Sequence, residues 1–209
     1  MAEHIVDLQT WPRAAQFHFF RTYQQPHYAV TSRLDVSHVL ARKGDGLSPY
    51  RACLYAIGAG LHAVPELCMR FRADQGVRHD MVTLSMTVPT DAGSFGYAYV
   101  PYLPDFAAFD TQARALIEKV TTEGSLQANS GERDDLAYLS CMPWLEYTSS
   151  NYALPGPDDC IPRISWGKFV DQSGRWDMAM TLEVHHALVD GAQIGAYFAA
   201  VQNALNTVT

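Results

Sequence analysis

The stretch EVHHALVDGAQIG, Glu183–Gly195, sets two adjacent histidines, His185 and His186, ahead of an Asp-Gly pair, Asp190 and Gly191. The residues before it, RWDMAMTLEVHH, predict a long strand. The residues after it, AQIGAYFAAVQNALN, predict an amphipathic helix. The stretch is therefore a strand terminus, a short loop and a helix start. Three readings of it compete: a metal site, a general base presented by a loop, or core packing.

Neighbours on a strand point to opposite faces, so His185 and His186 cannot ligate one ion. One histidine and one aspartate also lack a third ligand, and no further cluster of His, Cys or Asp stands out to supply it, so no metal is expected. The packing reading makes one histidine a buried, hydrogen-bonded residue and the Asp-Gly an ordinary turn. The functional reading rests on placement, because an imidazole at a strand terminus titrates near neutrality and serves as a base.

Outward from this stretch, helix and strand signals fall in separate blocks. HYAVTSRLDVS alternates from Tyr28 to Val36 and predicts a strand. Ser48 as N-cap and Pro49 in the first turn predict a helix to about Val64, ended by Pro65. MVTLSMTVP and SFGYAYVPY predict two strands joined by a TDAG turn, and a helix follows Asp105. AYLSCM, IPRISWGKFVD and RWDMAMTLEVHH predict three late strands, the last two hinged at DQSG. Hairpin connections between most strands predict an α+β fold, a two-layer sandwich of a mixed, largely antiparallel sheet with helices. No repeat or linker divides the chain, so one domain over residues 1–209 is expected.

A formal charge of −7 on 209 residues offers no basic field for nucleic acid or an anionic membrane. Cys53, Cys68, Cys141 and Cys160 show no CxxC spacing and read as free thiols. No GxGxxG or GxxxxGK[ST] is present, which argues against nucleotide-binding loops. The opening MAEHIVDLQTWPRAAQFHFF lacks a secretory h-region and no apolar run reaches membrane-span length, so a cytoplasmic protein is expected.

VHHALVDG closely resembles the HHxxxDG signature of the chloramphenicol acetyltransferase family, which are coenzyme A-dependent acyltransferases. Condensation domains of peptide synthetases share it at about twice this length, and dihydrolipoamide acyltransferase cores carry an arginine where His185 stands. The resemblance runs along the chain. VDLQTWPRAAQFHFFR is similar to the family's opening segment through Asp7, Trp11, Arg13, Phe17 and Arg21. YLSCMPW matches its S-x-x-P-W segment with Ser140, Pro143 and Trp144. IPRISWGKF matches the next strand, with Ser165 for a usual threonine and Lys168 for a lysine, and Phe95 in SFGYAYVPY stands at a phenylalanine position.

The resemblance implies direct acetyl transfer from acetyl-CoA to an acceptor hydroxyl, with chloramphenicol, the substrate of antibiotic resistance, as the expected acceptor. His186 is implied as general base and Ser140 as the oxyanion donor. Asp190 is implied to pair with Arg21 and fix the loop of the base. Trp144, Lys168 and Ser165 are implied on the coenzyme side, Ser165 through a water near the reacting centre. Tyr28, Phe95 and Tyr152 are candidates for the acceptor pocket, whose positions Gln127 and Ser150 are polar where the family is aromatic. Glu183 replaces a frequent glutamine, and Phe169 a frequent tyrosine. A homotrimer with shared sites is also implied. The alternatives are an acyltransferase of the same fold with another acceptor, or a non-catalytic binding protein.

Overall fold

The computed structural model describes residues 2–124, 128–129 and 131–209. Among them, ten strands and five α-helices follow the order β1 (Glu3–Val6), α1 (Ala14–Phe20), β2 (His27–Asp35), α2 (Ser37–Ala41), α3 (Pro49–Ala63), β3 (Met69–Arg72), β4 (Gln75–His79), β5 (Thr83–Pro89), β6 (Phe95–Pro101), α4 (Phe106–Glu123), β7 (Leu136–Cys141), β8 (Arg163–Trp166), β9 (Val170–Gln172), β10 (Arg175–His185) and α5 (Gly191–Thr207). This is the α+β sandwich that the alternation and helical periodicities predict. No described helix is long and apolar enough to cross a membrane.

The main sheet has the order β2-β10-β8-β7-β5-β6, with β9 paired to β10. Its register sorts side chains into rows. One row across the sheet reads Val30, Leu182, Ile164, Leu139, Met86, Ala98. The next row reads Ala29, Glu183, Arg163, Tyr138, Ser85, Tyr99. Successive residues of a strand face opposite ways, so one face of the sheet is apolar and the other is rich in hydroxyls and charge. The apolar face joins the core with α3, α4 and α5, where Leu54, Ile57, Phe109 and Val201 are fully buried. Burying each such side chain contributes about 1.5–3 kcal/mol.

The caps follow sequence. Ser48 Oγ accepts from Arg51 N, and Asp105 accepts from Ala108 N at 2.8 Å. α3 and α5 approach so closely that a Cβ on Gly60 would stand 2.5 Å from Val201 Cγ2 and 2.9 Å from the Tyr197 ring.

The sheet is mixed and largely antiparallel, as expected, with β7 parallel to both β5 and β8. Two features differ from the sequence reading. IPRISWGKFVD is not one strand. Gly167 and Lys168 turn their N–H groups to Ala179 O and Leu145 O, which separates β8 from β9. A Cβ on Gly167 would lie 2.6 Å from Leu145 O, so this break needs glycine. A second sheet, β1-β4-β3, has no counterpart in the sequence reading.

Candidate active site

β10 ends at His185, and the next four residues turn into α5. The two histidines leave that strand end in different directions. His185 is 2% exposed, accepts from Ala187 N at Nδ1 and donates from Nε2 to Pro157 O at 2.9 Å. Burial, reinforced by His27, pushes its pKa down to about 4. His185 is thus a neutral core histidine.

His186 is half-buried between two rings. It stacks on Phe20 at 3.7 Å between centroids and 12° between planes, and lies 4.5 Å from Tyr28. Its Nδ1 is 3.1 Å from Val189 O. A carbonyl only accepts, so Nδ1 carries the proton and Nε2 keeps its lone pair. Tyr28 OH donates to the same carbonyl at 3.3 Å. Burial and the nearby Asp190 push the Tyr28 phenol up to about 12, which keeps it a donor. The loop therefore selects the tautomer in which Nε2 can take a proton.

Asp190 caps α5, accepting from Ala192 N at 3.0 Å, while its own N–H donates to Gln193 Oε1. Burial opposes ionisation, but Arg13 and the Ala192 amide hold the Asp190 carboxyl below its ordinary range. The partner of Asp190 is Arg13 Nη1 and not the expected Arg21. Arg21 donates instead to Ala73 O at 2.7 Å and Asp158 at 3.1 Å, with its guanidinium 4.1 Å above the Phe71 ring. The reason is position: Arg13 is the N-cap of α1 beside the α5 N-terminus, whereas Arg21 is its C-cap.

Ser140 and Tyr152 line a cavity of about 370 Å³ on the hydroxyl-rich side of the sheet. Its other walls include Ser85, Thr87, Tyr97, Tyr99, Tyr138 and Arg163. Cys141, the next residue of β7, lines a second, larger cavity of about 1030 Å³, with Trp144, Lys168, Phe169, Tyr50 and Phe95. Both cavities touch Thr87. The β5–β7 ladder ends at Met86 and Leu139, one residue before Thr87 and Ser140, and Thr87 borders both cavities.

The expected site residues divide among three places. Trp144 and Lys168 share the larger cavity, and Phe95 joins them there. Ser165 lines neither cavity. It is 1% exposed and its Oγ lies 3.3 Å from Tyr147 OH. Tyr28 belongs to the histidine loop. Tyr28 on β2 and Phe95 on β6 stand on opposite edges of the sheet, about 24 Å apart at the usual strand spacing. Ser150 lines neither cavity, and Gln127 lies outside the described residues.

Ser140 and His186 do not meet within one chain. Ser140 is in register with Ser165 and, through it, Thr181. His186 lies five residues beyond Thr181, about 15 Å further along β10, and two strands across from Ser140. Glu183 is 5% exposed and accepts from Tyr152 N at 2.7 Å. Sequence reasoning missed Arg13 as the partner of Asp190, Phe20 behind the base, and the tyrosines of the smaller cavity. Alternation in SFGYAYVPY was a usable signal for Tyr97 and Tyr99. Among the described residues no group of three or more His, Cys, Asp or Glu could hold a metal.

Comparison with known proteins adds the following. Residues 1–202 match the family described as Chloramphenicol acetyltransferase. The chain is 22% identical over 204 residues to chloramphenicol acetyltransferase 3 of Escherichia coli, covering 96% of each protein. It is 24% identical over 192 residues to chloramphenicol acetyltransferase of Bacillus pumilus, covering 90% of this chain and 87% of that one. A solved chloramphenicol acetyltransferase superposes with a TM-score of 0.91 at 26% identity, over 98% of this chain and all 100% of that one. The cubic core of the pyruvate dehydrogenase multienzyme complex superposes with a TM-score of 0.68 at 16% identity, over 93% of this chain and 87% of that one, a likeness of fold.

Proposed function

The chain belongs to the chloramphenicol acetyltransferase family, a family of acyltransferases, and on that premise we propose that it transfers an acetyl group from acetyl-CoA directly to an acceptor hydroxyl. The observation that carries this reading is the bond from His186 Nδ1 to Val189 O, which leaves Nε2 free as a base. His186 Nε2 removes the acceptor proton as the hydroxyl oxygen attacks the thioester carbonyl. The oxyanion of the tetrahedral intermediate is received by Ser140 Oγ, which has no hydrogen-bond partner among the described residues. Collapse breaks the carbon–sulfur bond, and the departing thiolate takes the proton back from His186. No acyl-enzyme forms.

Acetyl-CoA occupies the larger cavity beside Trp144 and Lys168, and the acceptor occupies the smaller one. The end of the β5–β7 ladder supports this division, because Thr87, which borders both cavities, lies with Ser140 just past it. The separation of Ser140 from His186 supports a site shared between subunits of a homotrimer, in which one copy supplies the histidine loop and its neighbour the cavities. The same geometry carries Tyr28 of one edge toward the cavities at the other.

Incubation with acetyl-CoA and chloramphenicol, followed by release of free thiol, tests the reading. Thiol release that needs the acceptor supports it. Acceptor-independent release, or none with any hydroxyl acceptor, contradicts it. Size-exclusion chromatography with light scattering tests the trimer.

A further inference from the structure

We infer that the acceptor is a neutral, polyhydroxylated molecule of glycoside type, and that Tyr97 and Tyr138 select it. This rests on the acyltransferase reading and names the substrate class of its smaller cavity.

The walls of that cavity carry the argument. The Ser85, Tyr138 and Tyr99 positions sit in one cross-strand row, and Tyr97 stands two residues from Tyr99 on the same face of β6. The hydroxyls of Thr87 and Tyr97 have no hydrogen-bond partner among the described residues. Tyr138 OH accepts from Asn129 Nδ2 at 3.0 Å, which leaves its own proton to donate. These groups keep their bonds only if the ligand supplies partners. A flat nitrophenyl ring offers acceptors only at its nitro oxygens, so pressed against these walls it leaves the other hydroxyls unpaired, which a site built to bond hydroxyls disfavours.

Charge narrows the class. Among the described lining residues Arg163 is the one charged side chain. Its two terminal nitrogens are taken by the Asp159 carboxylate at 2.9 and 2.8 Å. With Arg163 paired to Asp159 and the buried Glu183 carboxylate beside it, the wall offers no free positive charge, so a carboxylate or phosphate on the acceptor would go uncompensated. The tyrosine rings give the flat surfaces on which the C–H face of a pyranose packs, with hydroxyls at its rim. In the reaction the glycoside oxygen bonds the acetyl carbon, the thioester carbon–sulfur bond breaks, and the hydroxyl proton passes by way of His186 to the thiolate.

The test compares kcat/KM for methyl α-glucopyranoside, methyl α-galactopyranoside and chloramphenicol with the intact protein, then repeats it with Tyr97→Phe, Tyr138→Phe and the double variant. Melting curves check that each variant is folded. At least one glycoside is expected to exceed chloramphenicol by about tenfold or more in kcat/KM. Each Tyr→Phe change should lower the glycoside value by about tenfold, the scale of one hydrogen bond, and raise that for chloramphenicol. Chloramphenicol turnover with both glycosides inert, or variants that leave the preference unchanged, overturns the assignment while the acyltransferase reading stands. Absence of turnover with every acceptor overturns both.

Discussion

Arg13 Nη1 donates to the Asp190 carboxylate, joining the N-cap of α1 to the N-cap of α5 across most of the chain. The loop between β10 and α5, which carries His186, is anchored at one end by this pair and at the other by the strand. His186 N donates to Pro26 O at 2.9 Å, which ties the loop to the start of β2 as well.

Breaking the pair should therefore loosen the loop and leave a partly buried charge alone. Arg13→Ala and Asp190→Asn are each expected to destabilise the protein by roughly 2–4 kcal/mol. A double-mutant cycle by urea denaturation should show coupling above about 1 kcal/mol. Arg21→Ala is expected to leave the Asp190→Asn effect additive, since Arg21 meets Asp158 on the surface. Coupling of Asp190 to Arg21 in place of Arg13 would contradict this assignment.

The sequence separates the two histidines by strand alternation, whereas in the structure β10 ends at His185 and His186 is set apart by the turn that follows. The Ser48 cap and the Pro65 stop were legible because capping and helix ends are set by local residues. The Arg13–Asp190 pair was not. Arg13 and Arg21 flank the same short helix, and nothing local says which end faces residue 190. The small sheet was missed because EHIV is short, with three of its four residues exposed, and so shows no buried face to read. The split of β8 from β9 depended on a tertiary contact, the approach of Leu145 O to Gly167. The mixed character of the sheet was expected, but which strand runs parallel depended on the long excursion between Cys141 and Arg163, which carries no periodic signal.

His185 links pH to stability. Its ordinary pKa of 6.5 falls to about 4 in the folded protein, so folding favours the neutral ring. The contribution is complete above about pH 6.5 and is lost as pH falls toward 4, up to about 3 kcal/mol. His185→Gln keeps a donor for Pro157 O without the titration. Urea midpoints from pH 7.5 to 4 should fall more steeply for the parent protein than for this variant. Parallel curves would show that His185 is not the group responsible.

Gly60 tests the packing of α3 on α5. Alanine gains helix propensity of about 1 kcal/mol but drives a methyl into Val201 and Tyr197, both fully buried. Overpacking of this kind costs about 1–3 kcal/mol, so Gly60→Ala should lower the melting temperature. A raised melting temperature would mean that the two helices part freely.

Ser140→Ala should lower kcat by about 10²–10³ with KM little changed, since the hydroxyl serves an oxyanion that exists only after attack. Steady-state kinetics with varied acceptor separates the two constants. A loss confined to KM would assign Ser140 to acceptor binding.

The central claim is that His186 Nε2 is the base. The most direct measurement is the rate of thiol release from saturating acetyl-CoA with the best acceptor, for the parent protein and for His186→Ala, each shown to be folded by circular dichroism. His186→Ala is expected to lower this rate by about 10²–10⁴, the scale of general-base catalysis. A His186→Ala protein that turns over within tenfold of the parent would contradict the claim.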